Sequence, residues 1–596
     1  MALKKGEVRR NKELGDFTTT WRVIPISLLA MGIGVTCAFV ALALLRLIGL
    51  FTHLFYYGEW GGSLISPAGN HLGYWSVLVP VAGGLIVGVM ARFGSERIRG
   101  HGIPEAIEAI LMNGSRVEPK VAFLKPVSSA IAIGSGGPFG AEGPIIMTGG
   151  AVGSMIAQLF HLTSAERKTL LVAGAAGGMS ATFASPVAAV LLAVELLLFE
   201  WKPRSLIPVA LASGVAAMLR RYILGTGPLF PVPYHPLDIA PKALLACLLV
   251  GVLAGALSAL LSHSIYAVED AFSHLKLHWM WWPAIGGVAV GIGGLIFPQA
   301  LGVGYDTIGQ LLQGSVTTKV ILGILLVKWF IWAVSLGSGT SGGVLAPLLM
   351  MGGALGGIEA MFLPNEGAGF WPLISMAAVL GSTMGAPLTA VIFAFELTHD
   401  ANVLLPLLMS TTAAYALTVL MLKRSILTEK IARRGYHLSR EYAVDPLELL
   451  YVQEVMQTGV SSLTEKERVR EILCSPKLIE FLVQRLLPVV DDAGALAGIV
   501  TSGDVYAWQK SNGSADGERP LHELMKGKYV IAAPDEPLRA AVHRMAENGI
   551  TKMPVVEEGT KRLLGIVSLD DVLKARSRHL EEERRKERVL GLGVFQ

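Results

Sequence analysis

The sequence predicts an all-α polytopic membrane protein with discontinuous helices, followed by a small α/β domain. Three observations carry that expectation. Of the 596 residues, 52% are hydrophobic and 16% charged, with mean hydropathy +0.54; a soluble chain has about 25% charged residues. Apolar segments follow one another from residue 24 to 422, and several are short or interrupted by Gly and Pro, as in helices that break around a polar cavity. The apolar part also repeats itself.

Gly134-Ser-Gly-x3-Gly140-x3-Pro144 recurs as Gly337-Ser-Gly-x3-Gly343-x3-Pro347. Pro186-x2-Ala-Val-x2-Ala-x-Glu195-Leu recurs from Pro387 to Glu396-Leu397, and Pro80-x2-Gly-Gly-x2-Val-Gly88 from Pro283 to Gly291. Lys125 pairs with Lys328, and Gly100-His101-Gly102 with Gly302-Val303-Gly304. Five matches in the same order, at offsets of 201–203, are more than a Gly-rich chain yields by chance. They define halves of about 70–225 and 275–422, and such repeats place a substrate at their interface near the bilayer midplane.

Residues 1–23 carry Lys4, Lys5, Arg9, Arg10 and Lys12, which puts the N-terminus in the cytoplasm by the positive-inside rule. Ile24–Phe51 is apolar apart from Arg46 and long enough to span. It is too long for a signal peptide, and no cleavable one is visible. Apolar segments near 74–93, 122–135, 145–160, 169–199, 205–224, 243–262, 281–298, 319–336, 344–362, 371–398 and 402–422 complete an integral, multi-pass domain over 24–437. Lys423, Arg424, Lys430, Arg433 and Arg434 mark a cytoplasmic exit. Beyond it, Pro488-Val-Val…Gly498-Ile-Val-Thr-Ser-Gly-Asp504 recurs as Pro554-Val-Val…Gly565-Ile-Val-Ser-Leu-Asp-Asp571. Each Gly-Ile-Val strand leads into a helix capped by Ser, Thr or Asp. These modules occupy 438–510 and 511–578, before a charged tail, 579–596; the dense Lys, Arg and Glu of 573–590 read as a solvated helix face or a frayed tail rather than a binding site.

Other classes are excluded on the same grounds. A formal charge of +4 is too small to argue for nucleic acid. Cys37, Cys247 and Cys474 lie far apart and supply neither a disulfide framework nor a metal site. No nucleophile–base pair or phosphate loop supports an enzyme.

The chemistry concentrates in three glycine-rich breaks: Gly100-His101-Gly102-Ile103-Pro104, Gly140-Ala141-Glu142-Gly143-Pro144 and Gly343-Val344-Leu345-Ala346-Pro347. In each, a Pro follows the break and an apolar run follows the Pro. Pro144 suits the first position of a helix. Each break can present unpaired N–H groups and about half a positive charge to an anion. Partial charges suit conduction, because binding must stay weak enough to release. Glu142 is the costly residue, at roughly 3 kcal/mol for a carboxylate at a helix centre. It reads either as a side chain able to occupy an anion's place or as a hydrogen-bonded Glu in a glycine-packed helix contact.

At these residues the chain resembles the CLC family of chloride channels and proton/chloride exchangers. Those proteins carry GSGIP, G-K/R-EGP and GxFxP at three helix starts in this order; this chain has GHGIP, GAEGP and GVLAP. The resemblance covers about 24–437, and the tail resembles the paired CBS domains of some members. It implies two inverted halves, a homodimer with one pore per subunit, both ends cytoplasmic, and a plasma or inner membrane. The cargo it implies is chloride or a similar anion. Glu142 matches the gating glutamate, which swings away when protonated. Gly140, Ala141, Gly143, Gly343, Val344 and Leu345 match backbone anion sites, with His101, Gly102 and Ile103 at the third break. In the tail the resemblance suggests Thr501 and Asp504, or Ser568 and Asp571, at a nucleotide ribose. No cofactor is required; an adenine nucleotide on the CBS pair stands against a purely structural pair.

The departures bear on mechanism. His101 replaces the Ser of GSGIP; either its imidazole meets the anion, or it points elsewhere and only the Gly102 and Ile103 amides count. Leu345 replaces the Phe of GxFxP, and Leu427 aligns with the inner-gate Tyr. Where exchangers have two consecutive glutamates, the second an internal proton acceptor, this chain has Glu195-Leu196. Leucine carries no proton. These changes favour a passive gated channel over its rival, an antiporter of chloride or fluoride with a rerouted proton path. A CBS-regulated cation transporter would need carboxylates along the pathway. Repeat-equivalent Glu195 and Glu396 argue for a shared structural role. Lys125 and Lys328 either raise the inner potential or snorkel to the interface.

Overall fold

A computed structural model of the chain describes residues 19–236, 238–435, 446–475, 483–510, 520–525 and 529–584. The basic residues of segment 1–18, the boundary near 438, the boundary at 510/511 and positions 585–596 of the tail lie outside the described residues. The chain divides between Arg440 and Glu441 into two compact units.

The larger unit is helical. Its first half holds α1 (Val23–Thr52), α2 (Leu78–Phe93), α3 (Ile103–Leu111), α4 (Pro119–Gly134), α5 (Glu142–Gln158), α6 (Ser164–Phe183), α7 (Pro186–Leu192) and α8 (Pro203–Ile223). Its second holds α9 (Pro241–Ser273), α10 (Trp282–Ile296), α11 (Tyr305–Leu312), α12 (Thr318–Gly323), α13 (Trp329–Gly337), α14 (Leu345–Glu359), α15 (Phe370–Met384), α16 (Pro387–Thr398) and α17 (Leu404–Met421), before α18 (Ile426–Arg433). Among the described residues seven helical stretches are long and apolar enough to cross a bilayer, from Val23–Tyr57 to Leu404–Arg433. α5, α6, α14 and α15 bury most of their residues and form the centre.

The two halves meet through reciprocal contacts, which a two-fold relation imposes. A Cβ on Gly84 would stand 2.4 Å from the Pro283 carbonyl oxygen, and one on Gly287 2.5 Å from that of Pro80. Only glycine lets α2 and α10 approach this closely, the device membrane helices use for packing. The acidic pair shows the same exchange. Glu195 accepts from the N–H groups of Leu388 (3.2 Å) and Thr389 (2.9 Å), at the start of α16. Glu396 accepts from those of Val187 (2.9 Å) and Ala188 (2.8 Å), at the start of α7. Each half caps a helix of the other, which is the shared structural role their repeat positions suggest. Glu396→Ala strands two donors at a dry helix start, at about 1–3 kcal/mol each. It should lower the thermal midpoint of detergent-solubilised protein by several degrees and Glu396→Gln by less; equal midpoints for all three proteins would refute the cap.

The smaller unit is α/β. β1 (Leu463–Thr464) runs parallel to β2 (Leu486–Val490), which pairs antiparallel with β3 (Leu496–Thr501). β4 (Lys552–Val556) pairs antiparallel with β5 (Leu563–Ser568). The internal repeat is visible in the register, which slips at Val489/Val490 in one module and at Val555/Val556 in the other. The modules join through Lys552 Nζ donating to the Gln484 carbonyl (2.7 Å) and Leu496 N to the Lys561 carbonyl (2.9 Å).

Candidate functional site

The three breaks converge. Gly140 N donates to the Gly343 carbonyl (3.1 Å) and Gly343 N to that of Gly140 (2.9 Å). Gly342 N reaches the Gly100 carbonyl at 3.4 Å. A Cβ on Gly143 would stand 1.8 Å from the His101 carbonyl oxygen and 3.2 Å from Gly343 Cα. α3, α5 and α14 therefore start within contact of one another.

This closeness decides which amides face outward from the helices. Gly140 and Gly343 spend theirs on each other, and Gly102 N donates to the Glu105 carboxylate at 2.7 Å. As anion-binding N–H groups these three expected residues are corrected: the contact that brings the helix starts together consumes them. Among the described residues, no protein acceptor takes the N–H groups of Ala141, Glu142, Gly143, Val344, Leu345, Ala346 or Ile103. The Pro expectation also shifts. α5 begins at Glu142 and α14 at Leu345, so Pro144 and Pro347 take the third helical position. First-turn N–H groups have no intrahelical partner, so Pro costs nothing there either.

Glu142 is fully buried, and neither carboxylate oxygen has a hydrogen-bond partner among the described residues. The side chain folds over the junction: a Cβ on Gly140 would stand 1.7 Å from Oε2, and one on Gly343 3.0 Å from the same atom. It faces the N–H groups of Ala346 and of Glu142 itself without making a hydrogen bond to either. An acceptor thus lies between two helix N-termini, where the positive ends of both dipoles converge.

His101 is 4% exposed and its Nδ1 has no partner. It lines a cavity of about 560 Å³, with Arg97, Arg99, Lys430 and Arg434 among the other walls. These cations are paired: Lys430 with Glu105 at 2.5 Å, Arg99 with Glu96 at 3.0 Å, Arg97 with Glu118 at 3.5 Å, and Arg434 with Glu108. Leu427 is buried in α18, which packs on α3. Leu196 is buried within Ala193–Leu198, a π-helical turn.

Lys125 and Lys328 do not snorkel. Both are fully buried. Lys125 Nζ donates to the carbonyls of Ile98 and Gly100 (2.8 Å each), and Lys328 Nζ to that of Gly302 (2.8 Å). Repeat-equivalent lysines hold repeat-equivalent loops, since the broken helices leave carbonyls that need donors. Ala346, the counterpart of Gly143, lay inside the repeat but was not read as part of the site, and Tyr305 escaped the sequence reading; extending the Gly302-Val303-Gly304 repeat by one residue finds it as the counterpart of Ile103.

In the smaller unit, Asp504 Oδ2 accepts from Thr501 N (2.9 Å) and Thr501 Oγ1 (2.5 Å). Asp571 Oδ2 accepts from Ser568 N (3.0 Å) and Ser568 Oγ (2.5 Å), and its Oδ1 from Gln457 Nε2 (2.8 Å). These pairs cap the helices Ser502–Lys510 and Leu569–Arg584.

A voltage-gated chloride channel family model matches residues 82–419, more than half of the chain. The chain belongs to the CLC family. CBS-domain models match 452–511 and 521–578. Chloride channel protein CLC-f of Arabidopsis thaliana is 27% identical over 83% of this chain and 73% of its own length. The H(+)/Cl(-) exchange transporter ClcA of Citrobacter koseri is 30% identical over 62% of this chain and 82% of its own. Among solved structures, a eukaryotic CLC transporter superposes with TM-score 0.57 at 20% identity, covering 92% of this chain and 98% of that one. A slow cyanobacterial Cl-/H+ antiporter gives 0.60 at 20% identity, over 70% and 99%. The expected fold class is the one found: a mostly helical polytopic CLC domain with a small α/β CBS region. As a CLC protein the chain is a membrane-spanning anion transporter or channel and no enzyme.

Proposed function

We propose that this CLC protein is a passive gated pathway for chloride or a similar small anion, with Glu142 as the gate. The observation that carries the reading is the unpartnered Glu142 carboxylate lying between unpaired N–H groups of α5 and α14. A halide in that seat would face the same N–H groups, so carboxylate and anion exclude each other. Ala141, Gly143, Val344, Leu345 and Ala346 would then line the seat through their backbone. Ile103 N–H and the free His101 nitrogen would face the anion at the cavity end. The passive mode rests on Leu196 and Leu427, apolar where exchangers place a carboxyl and a hydroxyl.

The rival is a proton-coupled antiporter of chloride or fluoride. It is favoured by the exchange transporter among the relatives and by a CLC-type fluoride/proton antiporter among the structures of like fold. Reversal potentials in planar bilayers under crossed proton and anion gradients separate the two. The passive pathway gives a potential that follows the anion gradient alone. A potential that moves with the proton gradient at fixed anion would refute it.

The assembly we infer is a homodimer in a plasma or inner membrane, with both termini cytoplasmic. An adenine nucleotide is the ligand class for the CBS pair. Thr501 and Asp504, or Ser568 and Asp571, are the residues that would meet its ribose.

A further inference from the structure

We infer that Tyr305 is a positioning residue for the gate: its hydroxyl is the hydrogen-bond partner that the Glu142 side chain takes when it leaves the anion seat. The inference rests on Glu142 being the gate, as proposed above.

Tyr305 opens α11, directly after Gly304 in a left-handed turn. Its hydroxyl oxygen is buried and has no hydrogen-bond partner among the described residues. A buried hydroxyl left unpaired is costly, and native structures rarely keep one without a use. Glu142, also buried and unpartnered among the described residues, lies against the start of α14, the helix on which α11 packs. Lys328 Nζ stands 3.8 Å from where a Cβ on Gly304 would be, next to Tyr305 in the chain. Two unpaired polar groups on elements that both pack against α14, each able to satisfy the other, define a second seat for the side chain.

The ring cannot turn away from that role. Phe183 meets it edge-on at 6.4 Å and 85°, and Phe230 at 5.9 Å and 69°. Such pairs fix ring orientation. Phe230 is itself held, by its N–H on the Leu397 carbonyl at 3.0 Å. The loop that follows is tied by His235 Nδ1 on Asp400 at 2.5 Å. The hydroxyl therefore has a set position.

The chemistry suits the exchange. An ionised Glu142 is attracted to the helix N-termini. A protonated one loses that attraction and gains a donor, and a phenol both accepts from and donates to a carboxylic acid. Among the described residues, the charged and titratable groups acting on Glu142 are Lys328 and Tyr305. Lys328 also donates to the Gly302 carbonyl, and a cation does not reward a neutral acid.

The test is Tyr305→Phe in the full-length protein, reconstituted in liposomes, with chloride efflux followed from pH 4.5 to 8. The ring contacts stay and the hydroxyl goes. Efflux should need more acid: the half-activation pH should fall by about 0.4 to 1 unit, the two- to tenfold that a neutral hydrogen bond carries. In a Glu142→Ala background the same substitution should change nothing. An unchanged half-activation pH overturns the inference, and so does an equal effect in the Glu142→Ala background. A Phe183→Leu variant, which frees the ring but keeps the hydroxyl, should shift the profile in the same direction; no shift there counts against a set position. Failure of the gate itself reads differently, as an unaltered pH profile in Glu142→Gln.

Discussion

Glu142→Gln should pass chloride at neutral pH at least as fast as the unmodified protein does in acid, with little remaining pH dependence. The amide keeps the size of the side chain but cannot ionise. It loses its hold on the N–H groups of α5 and α14, which then remain open to a halide. Across two pH units, acid stimulation of liposome efflux should drop from tenfold or more to about twofold, because the titrating competitor is gone. The sign follows from the geometry. In the unmodified protein the anionic form occupies the seat, so transport rises as pH falls. Equal pH profiles for the two proteins would mean that Glu142 does not contend with the anion.

Gly143→Ala should abolish transport and loosen the membrane domain. The new methyl would stand 1.8 Å from the His101 carbonyl oxygen. That atom is backbone, and no rotamer change relieves the overlap. α5 must withdraw from α3, which opens the junction that aligns the helix starts. Overpacking of this kind costs about 1–3 kcal/mol. We expect efflux to fall at least tenfold and the thermal midpoint to drop by several degrees. Gly32→Ala is the control, since nothing lies within 4 Å of a Cβ there; it should leave both readouts intact. A Gly143→Ala protein with normal efflux would show that the three starts need not touch for transport.

The fold was readable because its signals are local or periodic. Apolar runs announced the helices, and Val23–Thr52 lies within a residue of the expected span. The repeats announced their pairing, and Glu195 with Glu396 turned out to exchange caps as their positions suggested. The small domain followed from two Gly-Ile-Val strands, each ending in a residue that begins a capped helix. What the chain order left open was how contacts far apart in sequence use up polar groups. Gly140 and Gly343 read as anion-binding amides until they are seen bonded to each other. Lys125 and Lys328 read as cations that raise the inner potential or snorkel to the interface until the loop carbonyls they hold are known. Tyr305 carried no motif of its own; only its ring neighbours and its unpaired hydroxyl single it out.

By itself the sequence determined that two homologous apolar halves, each interrupted by glycine, surround a carboxylate that a bilayer tolerates only at cost. Periodicity, composition and the cost of dehydrating charge suffice for that much. Tertiary structure alone decided which N–H groups stay free, because a donor is free only when no distant carbonyl has taken it. It also decided that Glu142 lies unpaired between two helix starts. Such accounts of polar groups close in three dimensions, across some two hundred residues of chain, and no local pattern records them.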